Sequence, residues 1–284
     1  MPISFKDVSY IYNRKSPFEF AALNHVNLDL PDHKFIALVG RTGSGKSTLV
    51  SHINALLRPS EGEVNVGSFI NAPKNRLKSK DIKELRKHVG LVFQFPEYQL
   101  FEETVEKDVA FGPKNFGAKG EEAFSLAHQA LTRVGLDSSF YERSPFELSG
   151  GEKRKVAIAG VLAMKPDTLI VDEPTAGLDP VASMETMDLF KAVQKEGTTL
   201  LLVTHDMNLV SRYADIVVVM EDGRVAKIAT PLELFSSNLD SYSLELPLLY
   251  RCVNDLKERG MNIEQGKINS VQDLAKAIKE KRHG

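Results

Sequence analysis

Apolar residues along this chain follow two rhythms that alternate. Near the start, Ile3 and Phe5, then Val26, Leu28 and Leu30, recur at every second position, the period of half-buried strands. Phe35-Ile36-Ala37-Leu38-Val39 is instead an unbroken apolar run, which suits a strand buried on both faces. A helix over residues 46–57 follows and stops before Arg58-Pro59. Short strands are predicted at 63–66 and 89–93, with Gln94 just beyond the second. The stretch from 96 to about 145 turns helical, most clearly at 121–134, with breaks predicted at Gly112-Pro113, Gly117 and Gly135. Another helix, opened by Leu148-Ser149-Gly150-Gly151, runs to about Met164. Strands at 168–171 and 198–203 flank a helical stretch at 181–195, and past Asp222-Gly223 the pattern is helical near 231–236, 246–259 and 270–281. That alternation predicts an α/β fold with a parallel sheet of βαβ units. The helical block at about 96–164 reads as an insertion, residues 1–230 as the main domain, and 231–284 as a small appended helical domain.

Between the apolar run 35–39 and the following helix lies Gly40-Arg41-Thr42-Gly43-Ser44-Gly45-Lys46-Ser47, a match to G-x-x-x-x-G-K-[ST] in the strand–loop–helix context that a phosphate cradle requires. Its glycines let backbone N–H groups turn inward on phosphate oxygens, and the helix adds its positive dipole end. Lys46 supplies a point charge for the terminal phosphates, and the Ser47 hydroxyl, with Thr48 beside it, is placed to hold Mg²⁺. The sequence therefore predicts a nucleoside triphosphate site.

Thr168-Leu169-Ile170-Val171 ends in the paired acids Asp172 and Glu173. A parallel strand delivers its C-terminal residues to the sheet edge that carries the phosphate loop. There Asp172 would hold Mg²⁺ through water, and Glu173 would polarise the water attacking a γ-phosphate. Leu148-Ser149-Gly150-Gly151-Glu152 puts two glycines at a helix N-terminus, a second anion-binding nest in the same chain.

Composition narrows the setting. With 284 residues, 42% hydrophobic and 26% charged, the chain has the make-up of a folded globular protein. Its formal charge of −2 gives no general attraction to nucleic acid or anionic membranes. The lone Cys252 excludes an internal disulfide and any paired-cysteine metal knuckle, and the seven His show no metal-ligand spacing. No apolar run approaches the ~20 residues that span a bilayer, and the first residues do not resemble a signal peptide. Work at a membrane would need other subunits to do the crossing. The segment 74–87 is rich in Lys and Arg and reads as a solvated helical face.

Taken in order, the phosphate loop, LSGGE, Asp172-Glu173, Pro174-Thr175-Ala176-Gly177-Leu178-Asp179 and Thr204-His205-Asp206 resemble an ATP-binding cassette (ABC) ATPase over roughly residues 3–230. The resemblance implies a P-loop NTPase fold with a β-rich N-terminal subdomain, an inserted helical subdomain and a helical C-terminal dimerisation domain. It implies two cassettes paired head to tail, each ATP held between one chain's phosphate loop and the other's signature loop. Lys46, Ser47, Gln94, Asp172, Glu173 and His205 would then line this chain's ATP, with Mg²⁺ held through Ser47, Gln94 and Asp172. Glu173 and His205 would be catalytic. Ser149, Gly150, Gly151 and Glu152 would serve the partner's ATP, and Asp179 would bridge the sites. Tyr12 resembles the aromatic that stacks on adenine, although Tyr10 shares its strand face.

A narrower resemblance, to the ATPase subunits of energy-coupling factor (ECF) transporters, rests on Gln94-Phe95-Pro96-Glu97-Tyr98-Gln99-Leu100-Phe101, on Phe111-Gly112-Pro113-Lys114-Asn115-Phe116-Gly117 and on Val156-Ala157-Ile158-Ala159-Gly160-Val161-Leu162-Ala163-Met164. It implies a related ATPase as heterodimer partner, a transmembrane coupling protein and a substrate-binding membrane protein importing vitamins or transition metals, with this chain peripheral on the cytoplasmic face of the cell membrane. Glu152 in place of the commoner Gln resembles the second ATPase of the pair. The aromatic cluster after Gln94 would receive a helix of the coupling protein or, more simply, pack the helical subdomain. A non-transport ABC ATPase of translation or DNA repair is the alternative; a single cassette without a long heptad insertion or a basic face argues against it, and a P-loop kinase leaves LSGGE unexplained.

Overall fold

In the computed structural model the described residues are 1–284 apart from Asn262, Gln265, Lys267, Asn269, His283 and Gly284. Strands β1 (Ile3–Tyr12) and β2 (Phe20–Leu30) pair antiparallel with Phe5 opposite Leu28, as their shared period of two demands. β3 (Phe35–Val39) leads through the phosphate loop into α1 (Lys46–Ile53). β4 (Glu61–Val66) and β5 (Phe69–Asn71) complete an antiparallel sheet in the order β2-β1-β4-β5. α2 (Ser79–His88) carries much of the basic segment and leads into β6 (Val89–Val92).

The inserted helical block holds a short 3₁₀ turn (Pro96–Gln99), α3 (Val105–Asn115), α4 (Gly120–Arg133) and α5 (Gly150–Leu162). The chain continues through β7 (Thr168–Asp172), α6 (Pro180–Lys195), β8 (Thr199–Val203), α7 (Met207–Tyr213), β9 (Ile216–Glu221) and β10 (Arg224–Ala229). It ends in α8 (Pro231–Phe235), α9 (Leu248–Glu258) and α10 (Val271–Arg282). The second sheet has the order β10-β9-β3-β8-β7-β6, parallel throughout except for the edge hairpin β9–β10.

That sheet is buried on both faces, which is why its strands read as unbroken apolar runs. Ile36, Leu38, Ile170, Leu201 and Val203 pack with Leu49 and Ile53 of α1 and with the antiparallel sheet. On the other face Leu169, Val171, Leu200 and Leu202 pack under the helical block and α6. Ala37, Val39, Val217 and Val219 meet α7, α8 and Tyr250. Residues 231–250 therefore share a core with the main sheet, and the separate cluster of the C-terminal segment holds Val253, Ile263, Ile268 and Leu274.

Several elements differ from the sequence expectation, β5, α7 and β9 among those it did not foresee. The anticipated break at Gly112-Pro113 lies inside α3, whose hydrogen bonding carries through as the Phe116 N–H donates to the Gly112 carbonyl at 3.1 Å. Gly112 serves packing, since a Cβ there would sit 3.0 Å from Met164 at the end of α5. α1 stops at Ile53 rather than near Leu57, where Ala55 turns left-handed at φ 52° and Arg86 of α2 donates to the carbonyls of Asn54 and Ala55 at 3.2 and 3.3 Å. Strand β10 was not anticipated. Asp222 and Gly223, at φ 46° and 74°, form the tight hairpin turn that starts it.

Candidate functional site

Because β3, β6, β7 and β8 are parallel neighbours, their C-terminal ends open on one edge of the sheet. That edge holds a cavity of about 420 Å³ lined by Thr42, Gly43, Gly45, Lys46, Ser47, Thr48, Gln94, Asp172, Glu173 and His205. The phosphate loop owes its shape to glycine. Gly45 has φ 99°, and a Cβ there would lie 2.5 Å from the Ala22 carbonyl oxygen. A Cβ on Gly40, at φ 144°, would collide with the Met220 carbonyl.

The Lys46 ammonium donates to the carbonyls of Gly40 and Arg41 at 2.7 and 2.8 Å, curled over its own loop. Burial pulls its pKa below the ordinary lysine value, against the opposing pull of Glu173 and Asp172. Burial likewise pushes the Asp172 carboxyl up, and the charge of Glu173 adds to that, while the Ser47 hydroxyl donates to Asp172 at 3.4 Å. Each group's charge is disfavoured by the same low-dielectric pocket. A phosphate chain with a divalent cation would relieve both strains. Ser47 and Asp172 are hard oxygen donors of the kind Mg²⁺ takes when phosphates complete its shell. Among the described residues no cluster of three or more His, Cys, Asp or Glu is set to hold a metal by itself.

Glu173 sits just past β7 with φ 46°, a left-handed conformation uncommon for a non-glycine residue. Its N–H donates to the Val203 carbonyl at 2.9 Å, and its carboxylate accepts from the Thr204 hydroxyl at 3.4 Å and from His205 Nδ1 at 2.7 Å. His205 is 83% exposed at the cavity wall.

Other expected site residues stand elsewhere. Arg41 lines an adjoining cavity with Asp206 and Arg251, which Gly40, Thr42 and His205 share. Ser44 is buried beneath the loop. The signature residues Ser149, Gly150, Gly151 and Glu152 do not line the phosphate cavity. Ser149 caps α5, its N–H and hydroxyl donating to Glu152 at 2.8 and 2.7 Å, so the hydroxyl proton is engaged within the loop. Asp179 caps α6, accepting from the N–H groups of Val181 and Ala182 at 2.9 and 3.0 Å.

The two tyrosines separate. Tyr10 packs edge-on against Tyr12 at 4.8 Å and against buried His52 at 4.9 Å, whereas the Tyr12 hydroxyl lies 3.3 Å from that of Thr48. Phe20, directly opposite Tyr12 across β1–β2 and 55% exposed, lines the cavity with Ala22 and Val203, and none of the three was anticipated. The only hint in the sequence is that Phe20 shares the aromatic-rich stretch between Tyr12 and the phosphate loop.

A phosphate loop and an acidic strand end on one parallel sheet, with a capped glycine loop turned away from them, define the nucleotide-binding cassette of ABC transporters. Residues 23–176 match the ABC transporter family. The "Energy-coupling factor transporter ATP-binding protein EcfA2" of Lactiplantibacillus plantarum is 48% identical, covering 98% of this chain and 94% of that protein. The protein of the same name from Enterococcus faecalis is 47% identical over 99% of this chain and 97% of its own. The chain belongs to the ABC ATPases, as an ATP-binding subunit of the energy-coupling factor type. Among solved structures, cbiO1 from Clostridium perfringens, part of the ABC transporter complex cbiONQ, superposes with TM-score 0.75 at 36% identity, covering 91% of this chain and 96% of that one. The ATP-binding cassette MJ0796, a dimer in a post-hydrolysis state bound to ADP and Pi, superposes with TM-score 0.70 at 29% identity, covering 81% and 98%.

Proposed function

We propose that this chain binds Mg-ATP and hydrolyses it as one half of a head-to-tail pair with a related ATPase, driving uptake through a transmembrane coupling protein and a substrate-binding membrane protein from the cytoplasmic face. The observation that carries this reading is the separation of the two glycine loops. The phosphate cavity lacks the Ser149–Glu152 loop, and that loop, exposed and preshaped by its own cap, has no phosphate cavity of its own chain to serve. Each loop is half of a site.

Within the cavity the chain's residues divide the work. Lys46 leaves the Gly40 and Arg41 carbonyls to meet the β and γ phosphates. Ser47, Asp172 and Gln94 would hold Mg²⁺, which would neutralise charge on the β and γ phosphates as the γ-phosphoryl group departs from ADP. Glu173, held in place by the Thr204 hydroxyl and His205, orients and polarises the attacking water. His205 moves from the Glu173 carboxylate toward the γ-phosphate as the partner's signature loop closes. Adenine lies against Tyr12, with Phe20 as a second apolar wall. The substrates, vitamins or transition-metal ions, are chosen by the membrane binding protein.

The test is mixing. Purified alone and shown monomeric by light scattering, the chain should turn over ATP slowly, and adding the related ATPase should raise turnover at least about ten-fold. Full activity in the strictly monomeric preparation overturns the shared-site reading.

A further inference from the structure

Arg154 stands one turn into α5, behind the signature loop, with its side chain only 5% exposed. Burying a guanidinium is costly unless every donor is met. Here Nε and Nη2 donate to the two Glu97 carboxylate oxygens, both at 3.2 Å. Nη1 donates to the carbonyls of Ala176 at 2.8 Å and Pro174 at 3.5 Å, and Nη2 also to that of Gln94 at 3.5 Å. A guanidinium has five N–H groups in a fixed fork, and each finds an acceptor. A lysine, with three donors on a single nitrogen, cannot meet five acceptors on two separate chain segments.

Those segments are the ones that matter at the two composite sites. Gln94 lines this chain's cavity as a proposed Mg²⁺ ligand, and its backbone carbonyl is on the fork. Pro174 and Ala176 lie just past Glu173, in the loop that ends at Asp179, and the Ala176 N–H folds back on the Glu173 carbonyl at 3.1 Å. α5 itself carries the loop offered to the other site. A buried ion pair is weak support for stability, since apolar residues of like size fill such space as well. What it does is fix geometry.

We propose that Arg154 is a positioning residue that locks the Gln94 segment, the Pro174–Asp179 loop and the signature helix into one body, so that ATP in this chain's cavity sets the posture of the loop presented to the partner's ATP. This rests on the shared-site reading above. Displacement of the Gln94 backbone must be taken up by the guanidinium and so by α5.

The test uses the assembled complex with the related ATPase, carrying Arg154→Lys or Glu97→Gln, and reads ATP binding, melting temperature and the ATP dependence of turnover. The expected result is ATP binding within about two-fold of wild type, turnover reduced roughly ten-fold, and positive cooperativity between sites lost. The double variant should be no worse than the worse single one, because both break the same contact. Guanidinium chloride at millimolar concentration should partly restore turnover to Arg154→Ala without raising its melting temperature, whereas rescue of a merely structural role would raise both. Turnover lost in step with melting temperature, with cooperativity kept and no rescue, overturns the proposal. A wild-type pair without cooperative turnover overturns the shared-site reading and this proposal with it. Cooperative wild-type turnover that Arg154→Lys leaves intact overturns the proposal alone.

Discussion

Glu173 concentrates three constraints on one residue: a left-handed φ of 46°, a hydroxyl donor and an imidazole donor. Backbone strain of this kind costs on the order of 1–3 kcal/mol and persists where surrounding contacts over-determine it. Glu173→Gln keeps the shape and removes the acceptor charge. ATP binding should stay within a few-fold of wild type while turnover in the assembled pair falls roughly 10²-fold or more, leaving an ATP-trapped dimer. Near-normal turnover would remove Glu173 from the catalytic role. His52, beneath the same loop on α1, is a residue of stability instead. It is fully buried, Nδ1 donates to the Thr48 carbonyl at 2.7 Å, and Nε2 has no partner. Burial pushes its pKa from 6.5 down to about 4. Between those values the unfolded chain binds a proton that the folded chain refuses, so stability rises with pH across that window. Stability held above pH 6.5 should be lost as pH falls toward 4, by an amount of order 3 kcal/mol. Denaturant unfolding at several pH values should show a shallower acid slope for His52→Gln, and an unchanged slope would contradict this account.

At the scale of elements, the short 3₁₀ turn after Gln94 mixes two kinds of apolar residue. Leu100 and Pro96 are buried in the helical subdomain, so for them packing is the whole explanation. Tyr98, 85% exposed, stands beside Phe95 with ring centroids 6.1 Å apart, and Phe101 meets Phe111 edge-on at 4.9 Å. Aromatics left in water on a turn joined to Gln94 of the nucleotide cavity suit an apolar helix of the coupling protein. Tyr98→Ala and Phe95→Ala, which touch neither phosphate loop, should cut substrate uptake in proteoliposomes while ATP binding persists. If both variants assemble and transport at the wild-type rate, the docking surface lies on another element. The signature helix was legible for a local reason. Ser149 and Glu152 form a capping box, which needs no contact beyond its own four residues.

For the whole molecule, no helix among the described residues is long and apolar enough to cross a membrane. Under the proposed function attachment runs through the membrane partners, and vesicle flotation reads it directly. The chain alone should stay with the soluble fraction when mixed with protein-free vesicles, and should float with vesicles carrying the coupling protein. Flotation with protein-free anionic vesicles would point instead to the basic residues around α2.

By itself the sequence determined whatever is settled between close neighbours along the chain. The buried run 35–39 and the glycines of 40–47 make strand, loop and helix without help, and Thr168–Asp172 carries its acids to a strand end. The order of these motifs fixed the parallel-sheet fold and the family. Tertiary structure decided what depends on distant partners. Arg86, more than thirty residues on, meets the Asn54 and Ala55 carbonyls just past the end of α1. Gly112-Pro113 lies within α3, and Gly112 leaves room for Met164 where that helix passes close to the end of α5. The Asp222-Gly223 turn was in plain view, yet β10 is a strand only because β9 offers it an edge. Phe20 enters the cavity through its register against Tyr12, and Arg154 matters through acceptors at Gln94, Glu97, Pro174 and Ala176. Local period and turn chemistry specify an element, but which side chains meet across elements is set by packing and register, and no single stretch of sequence carries that information.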